Sequence, residues 1–303
     1  SIKLNRVIRL IQMSKKILII GANGMLGSSL LRFYSKLSEY DVLGTVRNDE
    51  AKLKISKQGF TNTISNVEFY NLDVINKIIA EFHPDYVFNC VGIIKQLNAA
   101  KDYLVSISVN SLLPHQLAQI CSRHNAKLIH FSTDCVFSGR QGSYCETDIP
   151  DASDLYGKSK QLGEIDYDGH LTLRTSIIGH EISSNHSLVD WFLSQNHTVH
   201  GYSKAIFSGL PTVYVAEVIH KYILPNESCI GLRHLSVAPI NKYELLGLIK
   251  KQYCHNIKII ESTELVIDRS LDSSLFRRET NFVPLCWSEL IEKMNNEYNE
   301  YFR

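Results

Sequence analysis

KILIIGANGMLG, residues 16–27, decides the fold. Ile17 to Ile20 form an apolar run short enough for a strand buried on both faces, and the run breaks at once into Gly21, Gly24 and Gly27. That spacing suits a turn from strand to helix in which backbone amides at the helix start meet a pyrophosphate with no Cβ in the way. A glycine triplet alone is a weak signal. Behind an apolar strand, and at the head of a long alternation of strand-like and helix-like segments, it marks the first unit of a dinucleotide-binding sheet. Gly21, Asn23, Gly24, Met25, Leu26 and Gly27 are the expected cofactor loop.

Outward from this loop the alternation continues to about Gly179. Strand candidates are DVLGTV from Asp41, VEFYNLD from Val67, DYVFNCVG from Asp85, KLIHFSTD from Lys127 and LTLRTSIIG from Leu171. Leu104, Ile107, Val109, Leu112, Leu117 and Ile120 space a long helix ahead of the fifth strand. Helical segments near 186–196, 212–223, 241–253 and 287–302 follow, joined by loops that contain Pro211, Pro225, Pro239 and Pro284. The expected architecture is α/β: a Rossmann-like doubly wound parallel sheet with a smaller, α-rich C-terminal substrate-binding lobe. Residues 1–12 are set aside as an N-terminal extension, 13–180 as the nucleotide-binding domain with the catalytic residues, and 181–303 as mainly the substrate lobe, interleaved with the first domain.

Thirty-two basic residues balance thirty-one acidic ones for a net charge of +1, so nothing in the overall charge draws the chain to nucleic acid or a membrane surface. The seven cysteines are odd in number and without a CxxC pair, which fits a reducing compartment and argues against a zinc site. No apolar run approaches the roughly 20 residues of a membrane span. A cytoplasmic location and no metal are expected. Among the scattered histidines, His130 in mid-strand is expected to be a satisfied core residue.

At the end of the second strand, where a site that prefers NAD presents a carboxylate to the ribose, the chain reads Val46-Arg47-Asn48. A guanidinium suits a 2′-phosphate, so NADP(H) is the expected cofactor, with NAD(H) admitted if Asp49 is the acidic residue instead. Asp73 closes the third strand candidate beside Val74; it is placed either to bond the adenine or to cap the next helix. Cys90, Val91 and Gly92 line the cofactor's path after the fourth strand.

DLYGKSKQLGE, residues 154–164, places Tyr156 and Lys160 four apart, on one face of a helix. A phenol is a poor acid or base at neutral pH, and a nearby ammonium eases its proton transfer. Thr133 ends the fifth strand, where its hydroxyl can reach a substrate carbonyl.

With GANGMLG, STDCVFSG (132–139), YGKSKQLGE, LRTS (173–176), GLPT (209–212) and RSLDSS (269–274) in this order, the chain resembles the extended short-chain dehydrogenase/reductase family, and within it the dTDP-4-dehydrorhamnose reductases. The resemblance implies that Tyr156 protonates a carbonyl oxygen while the nicotinamide supplies hydride, that Lys160 lowers the tyrosine pKa and holds the nicotinamide ribose, that Thr133 orients the carbonyl, and that Asn110 supports a relay water behind the lysine. It implies a nucleoside-diphosphate 4-keto-6-deoxyhexose as substrate, a nucleotide sugar lined by Lys95, Asp134, Cys135, Val136 and Arg269, and a homodimer. Arg233, Lys242, Arg277 and Arg278 are expected to be solvated charges. Lys95-Gln96 departs from the family's tyrosine-threonine, which points to a UDP-linked, N-acetylated sugar as a variant substrate. The family's dehydratases carry Asp-Glu after the threonine; here Asp134 is followed by Cys135, which argues against elimination. Two alternatives stay open: a bifunctional epimerase and 4-reductase that uses Cys135 as base and His186 as acid, and a non-catalytic NADP-binding subunit like the regulatory subunit of methionine adenosyltransferase.

Overall fold

The computed structural model describes residues 14–93, 102–183 and 186–303; the extension at 1–12 and Lys95 lie outside them. β1 (Lys15–Ile20) leads to α1 (Met25–Tyr34), β2 (Tyr40–Thr45), α2 (Asp49–Lys57), β3 (Thr63–Ile64), α3 (Leu72–Phe82) and β4 (Tyr86–Asn89). A long helix follows in three pieces, α4 (Tyr103–Ser106), a π-helical turn (Ile107–Leu112) and α5 (Leu113–Arg123). Next come β5 (Lys127–Thr133), a 3-10 turn (Asp134–Val136), α6 (Leu155–Leu162), β6 (Leu171–Thr175) and β7 (Ile177–Ile178). The remainder holds α7 (Leu188–Ser194), β8 (Val199–Tyr202), β9 (Ala205–Phe207), β10 (Leu210–Pro211), α8 (Thr212–Val218) with a π-helical continuation (Ile219–Ile223), β11 (Gly231–His234), β12 (Ile240–Asn241), α9 (Lys242–Gln252), β13 (Ile259–Ser262), β14 (Ile267–Asp268), α10 (Ser274–Thr280) and α11 (Trp287–Tyr301).

Seven strands form one parallel sheet in the order β11-β6-β5-β4-β1-β2-β3. Alternation along β1 sends Ile17 and Ile19 to one face, against Leu30 and Leu31 of α1, and Leu18 and Ile20 to the other, against Ile75 and Ile79 of α3 and Leu117 of α5. Strand order reverses between β1 and β4, which opens the crevice at their carboxyl ends where such sheets bind ligands. None of the described helices is long and apolar enough to cross a membrane.

Two strand expectations are corrected. Residues 67–73 do not form the third strand; the pair falls at Thr63–Ile64, and Asn66 (φ 62) turns the chain. Asn71 then caps α3, its side chain accepting from the Val74 amide at 3.4 Å, so the helix claims Leu72 and Asp73. The segment from Leu171 splits at Ser176, whose carbonyl accepts from Leu210 and pulls the chain into β7. A seventh strand, β11, comes from the C-terminal half; its sequence GLRH carries no apolar alternation.

C-terminal elements return to the first half elsewhere too. Glu297 of α11 is buried against α1, accepting from Ser29 Oγ at 2.8 Å and from Arg32 Nε and Nη2 at 3.0 and 2.9 Å. α8 packs on the same helix, and Tyr34 donates to the Ala216 carbonyl.

Candidate active site

The glycine loop lies where β1 meets α1. Gly21 has φ +85, and a Cβ there would sit 3.0 Å from Val91 and 3.1 Å from the Cys90 carbonyl carbon. At Gly27 a Cβ would fall 2.2 Å from the Gly21 carbonyl oxygen, so close packing of helix on loop demands glycine. Gly24 is different: its backbone is ordinary (φ −74) and a Cβ would meet only Gly21 O at 3.7 Å. The protein itself does not require glycine there. Gly24 is the N-cap of α1 without a side-chain cap, so the helix start keeps its amides for an anion. Cys90 and Val91 form the opposite wall, Cys90 through its amide on Ile20 O at 2.9 Å and Val91 through its amide on Asn89 Oδ1 at 3.2 Å.

Arg47 is exposed just past β2, and among the described residues no hydrogen bond or ion pair holds it. Asp49, the rival for the ribose position, lies in the first turn of α2 with its carboxylate turned to Ser65 and Asn66, which lower its pKa. Asp73 neither ends a strand nor caps a helix; it is exposed in the first turn of α3, one residue before Val74.

Thr133, Tyr156 and Lys160 converge at the carboxyl end of β5. Asp154 caps α6 by accepting from the Gly157 amide at 2.8 Å, which sets Tyr156 in the first turn and Lys160 one turn on. Thr133 Oγ1 accepts from the Cys135 amide at 3.1 Å and donates to Asp134 Oδ1 at 3.3 Å. Lys160 is 6% exposed, and its Nζ donates to the Phe131 carbonyl at 2.7 Å. Burial lowers its pKa to about 8, against the pull of Glu164 and Cys90. Glu164 is itself clamped by Arg174 at 2.7 Å to each oxygen and by Ser132.

The environment of Tyr156 is set first by burial. Burial, followed by Cys135, pushes the phenol above its ordinary value, and Thr133 works the other way. Tyr156 keeps its proton at neutral pH, the form an acid needs.

Asn110 lies in the π-helical turn with its carboxamide fully engaged: Oδ1 accepts from the Ile93 amide at 2.9 Å, and Nδ2 donates to Ile93 O and Ser159 Oγ at 3.3 and 3.1 Å. His130 corrects another expectation. It is buried at 0% exposure and its Nδ1 meets Asn89 Nδ2 at 3.1 Å, but its Nε2 has no partner among the described residues.

After Thr133, Asp134 is buried and Cys135 half-buried, whereas Val136, expected to line the sugar, is sealed in a small core with Phe137, Tyr144 and Leu271. Burial raises the Asp134 pKa, while Arg269 and Lys242 oppose it. Arg269 Nε is fixed on the Phe137 carbonyl at 2.9 Å. Lys242, expected to be solvated, instead projects over the Phe207 ring at 4.3 Å and interacts with Asp134 and Cys135. The sequence held a signal for it: Asn241 caps α9, so Lys242 is a cation at the wrong end of a helix dipole. Arg233 is tied to Glu279 and Arg277 to Ser273, away from this cluster. Burial and Asp134 push the Cys135 thiol up to about 12, which makes it a poor base. His186 is exposed in the turn before α7, its amide held by Glu181; the charges and hydrogen bonds that dominate at Cys135 come from Asp134, Arg269 and Thr133. Among the described residues no three His, Cys, Asp or Glu side chains cluster as a metal site.

Over 150 residues the chain is 33% identical to the dTDP-4-dehydrorhamnose reductase of Aggregatibacter actinomycetemcomitans, a match that covers 49% of this chain and 45% of that protein. Over 157 residues it is 28% identical to methionine adenosyltransferase 2 subunit beta of Mus musculus, covering 50% of this chain and 42% of that one. The chain thus spans about half the length of the curated relatives it matches. The structure of dTDP-4-dehydrorhamnose reductase from Bacillus anthracis str. Ames in complex with NADP superimposes with a TM-score of 0.76 over 94% of this chain and 99% of that one; at 20% identity the likeness is one of fold. The family model described as RmlD substrate binding domain matches residues 15–222, well over half of the sequence, and this chain belongs to that family.

Proposed function

We propose that the protein is an NADP(H)-dependent reductase of the 4-keto group of a nucleoside-diphosphate 4-keto-6-deoxyhexose. The observation that carries this reading is the meeting of Thr133, a protonated Tyr156 and a buried Lys160 at the mouth of a glycine loop. The space that a Cβ at Gly24 would fill, with the uncapped start of α1 behind it, fits a pyrophosphate, and the exposed Arg47 fits a 2′-phosphate better than Asp49 fits a ribose diol. When bound, the nicotinamide supplies the hydride. Tyr156 gives its phenolic proton to the substrate oxygen. Thr133 holds that oxygen once its long bond to Asp134 is released, and Lys160 offers its remaining N–H donors to the cofactor's ribose hydroxyls. Asp134 accepts from sugar hydroxyls, while Lys242 and Arg269 face the diphosphate. Similarity to dTDP-4-dehydrorhamnose reductases favours a dTDP sugar.

The test is consumption of NADPH or NADH, followed by absorbance, with 4-keto-6-deoxy sugars generated in place from dTDP-glucose, UDP-glucose, UDP-N-acetylglucosamine and GDP-mannose. Turnover that is abolished by Tyr156→Phe supports the reading and names the nucleotide. NADPH binding with no turnover on any of the four refutes it and favours a non-catalytic role, the direction in which similarity to methionine adenosyltransferase 2 subunit beta points.

A further inference from the structure

His130 lies on the face of β5 opposite Phe131, together with Leu128, which packs against Leu113 and Leu117 of α5. Asn89, directly across from it on β4, fixes the tautomer of its ring. Asn89 Oδ1 accepts from the Val91 amide, so Nδ2 is the atom that points at His130 Nδ1. Nδ1 therefore accepts, and the single proton of the neutral imidazole resides on Nε2. Burial, then the charges of Lys160 and His115, keeps the ring neutral. This leaves a fully buried N–H donor with no acceptor among the described residues. Buried donors of this kind are normally satisfied by an internal water.

The neighbourhood says what else such a water touches. Lys160 donates one N–H to the carbonyl of Phe131, the residue next to His130, and is the leading charge on the imidazole. Asn110, the family's expected holder of a water behind the lysine, has its carboxamide engaged at Ile93 and Ser159. We propose that His130 Nε2–H anchors a buried water which also accepts from Lys160 Nζ, so that His130 is a positioning residue for the Lys160–Tyr156 pair. The water's lone pairs face two donors and favour the charged ammonium. The groups that face Lys160 are Cys90 beyond β4 and Glu164 beyond α6; those that face His130 are Asn89 on β4, Lys160 on α6 and His115 on α5.

The proposal rests on the reductase reading, and two experiments separate the two. Ring-nitrogen NMR on ¹⁵N-histidine protein needs no substrate: the His130 Nε2–H resonance is expected with magnetisation transfer to water, and a protonated Nδ1 or an Nε2–H without contact to water overturns the proposal. Kinetics of His130→Leu, which removes the donor, and His130→Gln, which restores an N–H, follow with NADPH and the reducible sugar. His130→Leu is expected to lower kcat about tenfold at unchanged KM and to move the pKa of the kcat profile down by about one unit, with His130→Gln recovering most of both. An unaltered kcat and profile in His130→Leu overturns the proposal. If that variant does not fold, the NMR result on the native protein decides. A protein that reduces none of the sugars removes the reductase reading and leaves the NMR result to stand or fall alone.

Discussion

Lys160→Met is expected to make the ligand-free protein more stable while it abolishes turnover. The buried ammonium has its pKa lowered from 10.5 to about 8, a difference worth about 3 kcal/mol against the folded state wherever the lysine is charged. Methionine removes that penalty but leaves the Phe131 carbonyl without its 2.7 Å partner, a loss of about 1 kcal/mol. The net gain is about 2 kcal/mol, or roughly 4 °C in Tm for a chain of this size. The sign with pH follows from proton counting. Between about pH 8 and 10.5 the unfolded chain holds a proton on Lys160 that the folded chain has lost, so the wild type gains stability as pH rises through that window and the methionine variant does not. Urea unfolding of both proteins at pH 7, 8 and 9.5 measures the difference directly. The gap is expected to be widest at pH 7 and to narrow at pH 9.5. Equal stability at pH 7, or a gap indifferent to pH, refutes the reasoning and means that burial does not penalise the charged lysine.

Three further substitutions test the site. Gly24→Ala is expected to fold with a Tm within about 2 °C of wild type yet to weaken NADPH binding at least tenfold, whereas Gly27→Ala, whose Cβ meets backbone at 2.2 Å, is expected to destabilise the fold by about 1–3 kcal/mol; calorimetry on the pair checks both. Arg47→Ala is expected to reduce NADPH affinity about tenfold and leave NADH affinity unchanged in fluorescence titrations; equal losses would deny it the 2′-phosphate. Lys242→Met is expected to raise KM for the sugar nucleotide about tenfold at constant NADPH affinity, and an unchanged KM removes Lys242 from substrate contact.

The parallel sheet was legible because its central strands follow local rules. Ile17 to Ile20 and the glycines after them leave little freedom, and the Asp154 cap with Tyr156 and Lys160 one turn apart fixes its own geometry. Thr63–Ile64 escaped because two residues carry no period, and Val67 and Phe69 offered a better alternation than the true pairing. β11 escaped because Arg233 and His234 hide a strand that only the neighbouring β6 recruits. For Lys242 the unfavourable helix end is the one local signal, and it does not say that the partners are Asp134 and Phe207, which are distant in sequence. Mid-strand position marks His130 as a core residue but not as an unsatisfied one, since partner counting needs neighbours from β4, α5 and α6 that sequence spacing does not supply.

The clasp of Glu297 on Ser29 and Arg32 has a consequence for how the chain is made. The guanidinium of Arg32 is nearly sealed from water, yet its carboxylate partner is synthesised 265 residues later. A nascent chain can pair β1 and β2 and form α1 long before then, but it carries an unneutralised cation on the face destined for burial. Folding of the first helix is therefore finished last. A ribosome stalled short of residue 297 is expected to hold a sheet that chaperones still engage and proteases still cut.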